Sequence, residues 1–166
     1  MRLFFALPLS EAALDALETV QAVLRPQAPD ANYTRRENLH LTLAFLGETS
    51  RVREAEAAME EVALPPFSFQ VEGQGRFGDL YWAGVRRCAP LWELQGELAR
   101  RLRDHGFSLE RRPFRPHLTL AREVRPAVEF TVPRLEVPAA RFALMRSERL
   151  GGRLRYTPIC WRNLEN

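Results

Sequence analysis

The chain contains the same unit twice. Shifted by 77 positions, Leu3-Phe4-Phe5-Ala6 falls on Leu80-Tyr81-Trp82-Ala83, and His40-Leu41-Thr42-Leu43 falls on the identical His117-Leu118-Thr119-Leu120. Self-similarity at a fixed spacing means one supersecondary unit used twice, here giving two similar lobes that face one another. Residues 2–7 form a continuous apolar run and read as a buried strand. Ser10 caps a helix that has Glu11 in its first turn. Leu14, Leu17, Val20 and Leu24 share one face of it, and Pro26 ends it. After a polar loop over 27–36, residues 38–46 alternate as a strand, broken by Gly47. The second unit has a strand over 80–86 and a helix opened by Pro90, with Leu91, Leu94, Leu98 and Leu102 on one face. Gly106 stops that helix, and a strand follows over 114–121. Between the units lie a helix over 51–63, closed by Pro65-Pro66, and a strand over 67–72. That helix has no counterpart later, so the symmetry is partial. Residues 128–162 are β-like, broken at Pro133 and Pro138, with a hairpin turn at Gly151-Gly152. Helices beside hairpin-type strands predict an α+β fold.

The repeated tetrapeptide carries the chemistry. Only three histidines exist, and two of them occupy HLTL. Alternation along a strand sends His40 and Thr42 to one face, about 7 Å apart, and the leucines to the other. His117 and Thr119 follow the same rule. Histidine titrates near neutrality, so one imidazole can take a proton from water while the other donates to a leaving group. Placed on opposite sides of a phosphorus atom, the pair suits in-line displacement. Threonine hydroxyls can donate to phosphate oxygens. A lone His-x-Thr strand carries little weight, because a single histidine is more often structural; a second copy in repeat register changes that. Tetrahedral zinc takes three or four protein ligands. Only two histidines fall in register and no cysteine joins them, so no metal or other cofactor is expected. His105, beside Gly106 at a helix end, reads as structural.

On these residues the chain resembles the two-histidine phosphoesterases, and within them the RNA 2′,3′-cyclic phosphodiesterases, also called 2′-5′ RNA ligases. The resemblance runs through Arg2-Leu3-Phe4-Phe5-Ala6, the segment 37–47, Gly75-Arg76-Phe77 and the segment 112–122. It implies one bilobal domain over 1–166: two pseudo-symmetric lobes, each a mainly antiparallel sheet with helices on its outer face, around a cleft crossed by both motif strands. It implies metal-free hydrolysis of RNA 2′,3′-cyclic phosphate ends to a 2′-phosphate. By carry-over, His40 is the proton donor to the departing O3′ and His117 the acceptor that activates water. Thr42 and Thr119 hold phosphate oxygens, and Arg122 adds charge, with a weaker claim for Arg115. Phe45 and Tyr33 either border a base or simply pack. Two positions depart from the expectation. Strict alternation puts Arg122 opposite His117, so the strand must end or bulge near Ala121. The run Gly78-Asp79-Leu80-Tyr81-Trp82 also lacks the proline and arginine common there, which leaves contacts from Arg76 and Trp82 without support.

Composition narrows the alternatives. All 24 basic residues are arginine, which excludes a Schiff-base or P-loop lysine. Codon bias explains most of that excess. Residues 100–125 hold eight arginines against three carboxylates, and 141–155 hold five against Glu148, a local excess that suggests an anionic partner. RNA with a cyclic phosphate or 2′-5′ linkage is therefore the expected partner. RNA ligation, a non-catalytic RNA-end binder, and hydrolysis of 2′-5′ oligoadenylate or ADP-ribose cyclic phosphate are the alternatives. No apolar run reaches the roughly 18 residues of a membrane span. The apolar start is followed by Glu11 and Asp15 without a cleavage pattern, and reads as a strand rather than a signal peptide. Cys88 and Cys160 read as buried thiols of a monomeric cytoplasmic protein.

Overall fold

A computed structural model describes residues 1–166. Three helices and nine strands build the α+β architecture expected. The strands are β1 (Arg2–Leu7), β2 (Asn32–Tyr33), β3 (Leu41–Glu48), β4 (Phe67–Phe77), β5 (Leu80–Val85), β6 (His117–Arg122), β7 (Leu135–Ala139), β8 (Arg141–Leu150) and β9 (Arg153–Asn163). The helices are α1 (Glu11–Leu24), α2 (Val52–Glu60) and α3 (Ala89–Asp104). One antiparallel sheet runs β3-β1-β8-β9, the other β2-β6-β5-β4-β7. Each motif strand therefore lies beside the first strand of its own repeat unit.

Local chemistry accounts for the elements. Ser10 accepts from the Ala13 N–H and caps α1, and the left-handed Gly106 follows α3. β1 is buried on both faces because β3 and β8 flank it and packed side chains cover it. Pro138 and Pro158 are tolerated because β7 and β9 are sheet edges, where a missing N–H leaves no neighbour unpaired. The helices are exchanged between units. α1 packs against β6 and β7, while α3 reaches β3. Gln21, buried on α1, donates to the carbonyls of Thr34 and Leu120. This exchange lets residues of both sheets share one apolar core. α2, the helix without a counterpart, packs on α3, β8 and β9. His105 Nε2 meets Glu61 Oε1 at 2.5 Å, tying the end of α3 to the end of α2.

Four boundaries differ from the sequence expectation. The loop over 27–36 contains β2, which pairs with β6 through Asn32↔Arg122 and Tyr33↔Ala121. Two polar-flanked residues show no alternation, so the pairing is visible only in three dimensions. A 3-10 turn over Arg36–Asn38 delays β3 to Leu41, leaving His40 just ahead of the strand. β4 continues to Phe77, beyond the predicted stop at 72, because it pairs with β5 as a hairpin. β6 begins at His117 rather than 114. The cysteines are free but half-buried, with Cys160 Sγ 3.6 Å from Met59 Sδ.

Candidate active site

Both motif strands carry a β-bulge at the same place. In the β1–β3 ladder Ala6 faces Thr42 while Phe5 faces Ala44, so Leu43 is the extra residue. In the β5–β6 ladder Trp82 faces Thr119 while Tyr81 faces Ala121, so Leu120 is the extra residue. The bulged residue is thus the last leucine of each HLTL. A bulge reverses the side-chain alternation beyond it. Phe45 and Arg122, each five residues after its histidine, are both returned to the cleft. This resolves the position of Arg122, and it places Phe45, 69% exposed, by the same device.

The cleft has a volume of about 750 Å³ and brings together His40, Thr42, Phe45, His117, Thr119, Arg122 and Tyr33. Arg115 does not line it with its side chain. Its carbonyl instead lies 2.8 Å from His117 Nδ1. His40 repeats the arrangement, with Nδ1 2.6 Å from the Asn38 carbonyl. A carbonyl can only accept, so each Nδ1 carries a proton and Nε2 is the nitrogen left for chemistry. His40 Nε2 rests 2.7 Å from Thr42 Oγ1. Burial pushes the His40 pKa down to about 4, against a raising contribution from the Asn38 carbonyl, and His117 and Arg122 add further depression. In the free protein near pH 7, His40 is neutral and accepts the Thr42 hydroxyl proton.

Aromatic rings hold both imidazoles. Phe4 and Tyr156 lie 5.1 Å from His40 by ring centroid, Tyr156 edge-on. Phe77 lies edge-on to His117 at 5.3 Å. Burial keeps the Tyr156 phenol above its ordinary pKa, so it remains a neutral hydroxyl in the cleft. Tyr33 donates to the Ala28 carbonyl at 2.7 Å and carries the Arg25 guanidinium over its ring, so one face is already occupied. Trp82 and Arg76 do not line the cleft. Trp82 packs over Gly75, where a Cβ would come within 2.4 Å of the indole.

The arginines divide differently from the sequence expectation. Of the eight in 100–125, only Arg122 lines the cleft. Arg100 and Arg101 pair with Glu97, and Arg112 with Glu110. The helix and loop that carry this run turn most of it away from the cleft. The other cleft arginines are Arg2, Arg35, Arg149 and Arg153. None of the five has an acidic partner within ion-pair distance, and the one cleft carboxylate, Glu148, is paired with Arg146. No three His, Cys, Asp or Glu side chains come together as a metal-ligand group.

Sequence reading missed several of these residues. Asn38 is buried and polar. Its Nδ2 donates to the Leu154 carbonyl at 2.9 Å, its Oδ1 accepts from the Tyr156 N–H, and its own carbonyl orients His40. Its place two residues before His40 was the available signal. Tyr156 comes from the tail hairpin, far from either motif in sequence; Arg149 and Arg153 of the same hairpin belong to the basic group at 141–155 that the sequence singled out.

A cleft between two repeat units, with one imidazole from each and arginine around them, defines a two-histidine phosphoesterase. The comparisons agree. A family profile described as 2′-5′ RNA ligase superfamily matches residues 7–150. The chain is 35% identical over 147 residues to an RNA 2′,3′-cyclic phosphodiesterase of Geobacillus stearothermophilus, covering 82% of this chain and 47% of that protein, so it spans about half of that relative's length. It is 32% identical to the RNA 2′,3′-cyclic phosphodiesterase of Escherichia coli, covering 95% of this chain and 93% of that one. The solved structure of E. coli LigT complexed with 3′-AMP superposes with a TM-score of 0.83 at 30% identity, covering 99% and 98% of the two chains. The chain belongs to the 2′-5′ RNA ligase superfamily and groups there with enzymes named RNA 2′,3′-cyclic phosphodiesterase. It has no helix long and apolar enough to cross a membrane.

Proposed function

We propose that the protein hydrolyses RNA 2′,3′-cyclic phosphate ends to 2′-phosphates by metal-independent acid/base catalysis. The observation that carries this reading is the matched pair of imidazoles, each with Nδ1 held on a backbone carbonyl and Nε2 on the cleft side, where His40 meets the Thr42 hydroxyl. His117 takes a proton from water through Nε2 as the water oxygen attacks phosphorus. The P–O3′ bond breaks, and His40 supplies the proton to O3′. Thr42, Thr119 and Arg122 hold the non-bridging oxygens, with Arg122 as the charged donor. Phe45, exposed on the cleft wall, offers a stacking face for a base, and Tyr33 borders it. The names of the relatives and the 3′-AMP complex of LigT support an RNA end as the partner. A cleft with both histidines, both threonines and Arg122 forms within a single copy, and we propose action as a monomer and as one bilobal unit over 1–166. Two half-buried free thiols fit a reducing compartment, and we place the protein in the cytoplasm.

The test is incubation with EDTA and an oligoribonucleotide ending in a 2′,3′-cyclic phosphate, with product analysis. A 2′-phosphate is expected, and its absence rejects the reading. Adding an RNA with a 5′-hydroxyl tests ligation, which the family description favours and which the same two histidines can serve by reversal. Hydrolysis is the expected majority outcome, because water is the more concentrated nucleophile.

His40 must be protonated to donate, yet it is neutral in the free protein. A bound phosphodiester anion offsets its depressed pKa, so binding takes up a proton. A free pKa of about 4 that is raised in the complex makes affinity increase as pH falls through the pKa of the complex, levelling off near 4. The measurement is calorimetry of a 2′-5′-linked dinucleotide, a diester that does not itself titrate there, bound to the His117→Ala protein. Identical heats in buffers of different ionisation enthalpy would show that no proton is taken up.

Arg122 offers a narrower check. If its planar fork matters, Arg122→Lys loses about tenfold in kcat/KM with charge retained. Unchanged kinetics would leave Arg122 with charge alone.

A further inference from the structure

We propose that the free end of the β8–β9 hairpin, residues 148–155, is an arm that grips the RNA strand upstream of the terminal ribose. This rests on the phosphodiesterase reading and extends it from the reacting end to the strand behind it. Three observations meet there.

First, the arm runs past the edge of the sheet, tethered at Leu154, whose carbonyl accepts from Asn38 Nδ2. β8 pairs with β1 only from Ala143 to Ser147. Beyond that point Glu148↔Arg155, Arg149↔Leu154 and Leu150↔Arg153 pair with each other alone, around the left-handed glycines Gly151 and Gly152. Three further residues per strand project about 10 Å past the sheet. A two-stranded ribbon beyond the sheet adds little stability of its own, so its exposed side chains are free to serve a ligand.

Second, its charge is unspent. Arg149, Arg153 and Arg155 are exposed, and none has a carboxylate within ion-pair distance. The arm's own acid, Glu148, is held by Arg146 Nη2 at 3.2 Å. Three unpaired guanidinium groups on a short ribbon repel one another and attract a polyanion.

Third, the arm belongs to the cleft wall. Cross-strand partners share a face. Arg149 and Leu154 therefore lie with Ser147 and Tyr156, and all four line the cleft beside His40. Leu154 on that face is 37% exposed, apolar surface with no core to cover it and suited to a base between gripped phosphates. His40, Thr42, His117, Thr119 and Arg122 already suffice for one cyclic phosphate. Cationic groups beyond them match the phosphodiesters that follow it in a polynucleotide.

The experiment compares kcat/KM for a mononucleoside 2′,3′-cyclic phosphate and for an oligoribonucleotide with the same end, over a range of salt. The proteins are wild type, Arg149→Ala/Arg153→Ala/Arg155→Ala, and the corresponding triple lysine variant. Wild type should prefer the oligonucleotide. The alanine variant should lose about tenfold or more of that preference, and its slope of log(kcat/KM) against log[salt] should be shallower by about 2, at roughly 0.7 per phosphate contact. The lysine variant should keep most of the slope. Equal losses on both substrates, no loss on either, or a wild type indifferent to length would each overturn the arm. Failure of wild type on both substrates rejects the phosphodiesterase reading itself, and the arm's substrate with it.

Discussion

His117→Ala and His40→Ala are each expected to slow hydrolysis of a cyclic-phosphate RNA end by on the order of 10² or more, with KM changed far less than kcat. Both imidazoles present Nε2 to the cleft because a carbonyl two residues upstream occupies Nδ1. Neither has a substitute: the third histidine is tied to Glu61 outside the cleft, and the cleft carboxylate is paired with Arg146. The double variant should be little slower than the worse single one, because residues that act in one transition state are not additive. Acid and base can then be told apart by the leaving group. A nitrophenyl phosphodiester needs no proton at its departing oxygen. On that substrate His40→Ala should recover much of its lost rate, while His117→Ala should not. The opposite pattern would exchange the two roles. Near-wild-type turnover by both variants on RNA would remove the histidines from the mechanism.

The repeat made the central part of this site legible. HLTL twice in register is a periodicity-2 statement and a histidine statement at once, so the cleft-facing pair and its buried leucines could be derived from alternation alone. Alternation also produced the Arg122 difficulty, because a bulge leaves no mark in periodicity. Leu43 and Leu120 are buried, just as an unbulged strand would bury them. Only the ladders reveal that each is an added residue. The basic run at 100–125 misled for a related reason. Local charge density does not say which way a helix or loop faces, and most of those arginines project away from the cleft or meet glutamates. Of the smaller group at 141–155, Arg149 and Arg153 reach the cleft because β8 lies next to β1, a long-range pairing that no short window encodes. The exchange of α1 and α3 across the sheets was invisible too, since an amphipathic stripe specifies a buried face but not the partner that buries it.

Asn38→Leu is expected to damage stability and catalysis together, and the two effects can be separated. Asn38 is 5% exposed and is one of only two buried polar residues. Its amide satisfies the Leu154 carbonyl and the Tyr156 N–H on β9, and its backbone carbonyl holds His40 Nδ1. One residue thus joins the loop before β3 to the strand that carries Tyr156. Leucine is similar in size but leaves two backbone groups unpaired in a buried place, at about 1–3 kcal/mol each. For a chain of this length that corresponds to a fall in melting temperature of roughly 4–24 °C. The loss of the tether should also let the 3-10 turn shift, so that the Asn38 carbonyl no longer fixes the imidazole. Assayed well below its melting temperature, the variant should show kcat reduced by on the order of tenfold to a hundredfold. Nitrogen-15 spectra of His40 should show Nδ1–H tautomer dominance in wild type and a mixture in the variant. Asn38→Asp divides the bond set: its carboxylate can still accept from Tyr156 N–H but cannot donate to Leu154. It should therefore be less stable than wild type and, through its charge, should raise the His40 pKa. A leucine variant with reduced stability but an unaltered His40 tautomer and unaltered kcat would reduce Asn38 to a structural tether with no part in positioning the imidazole.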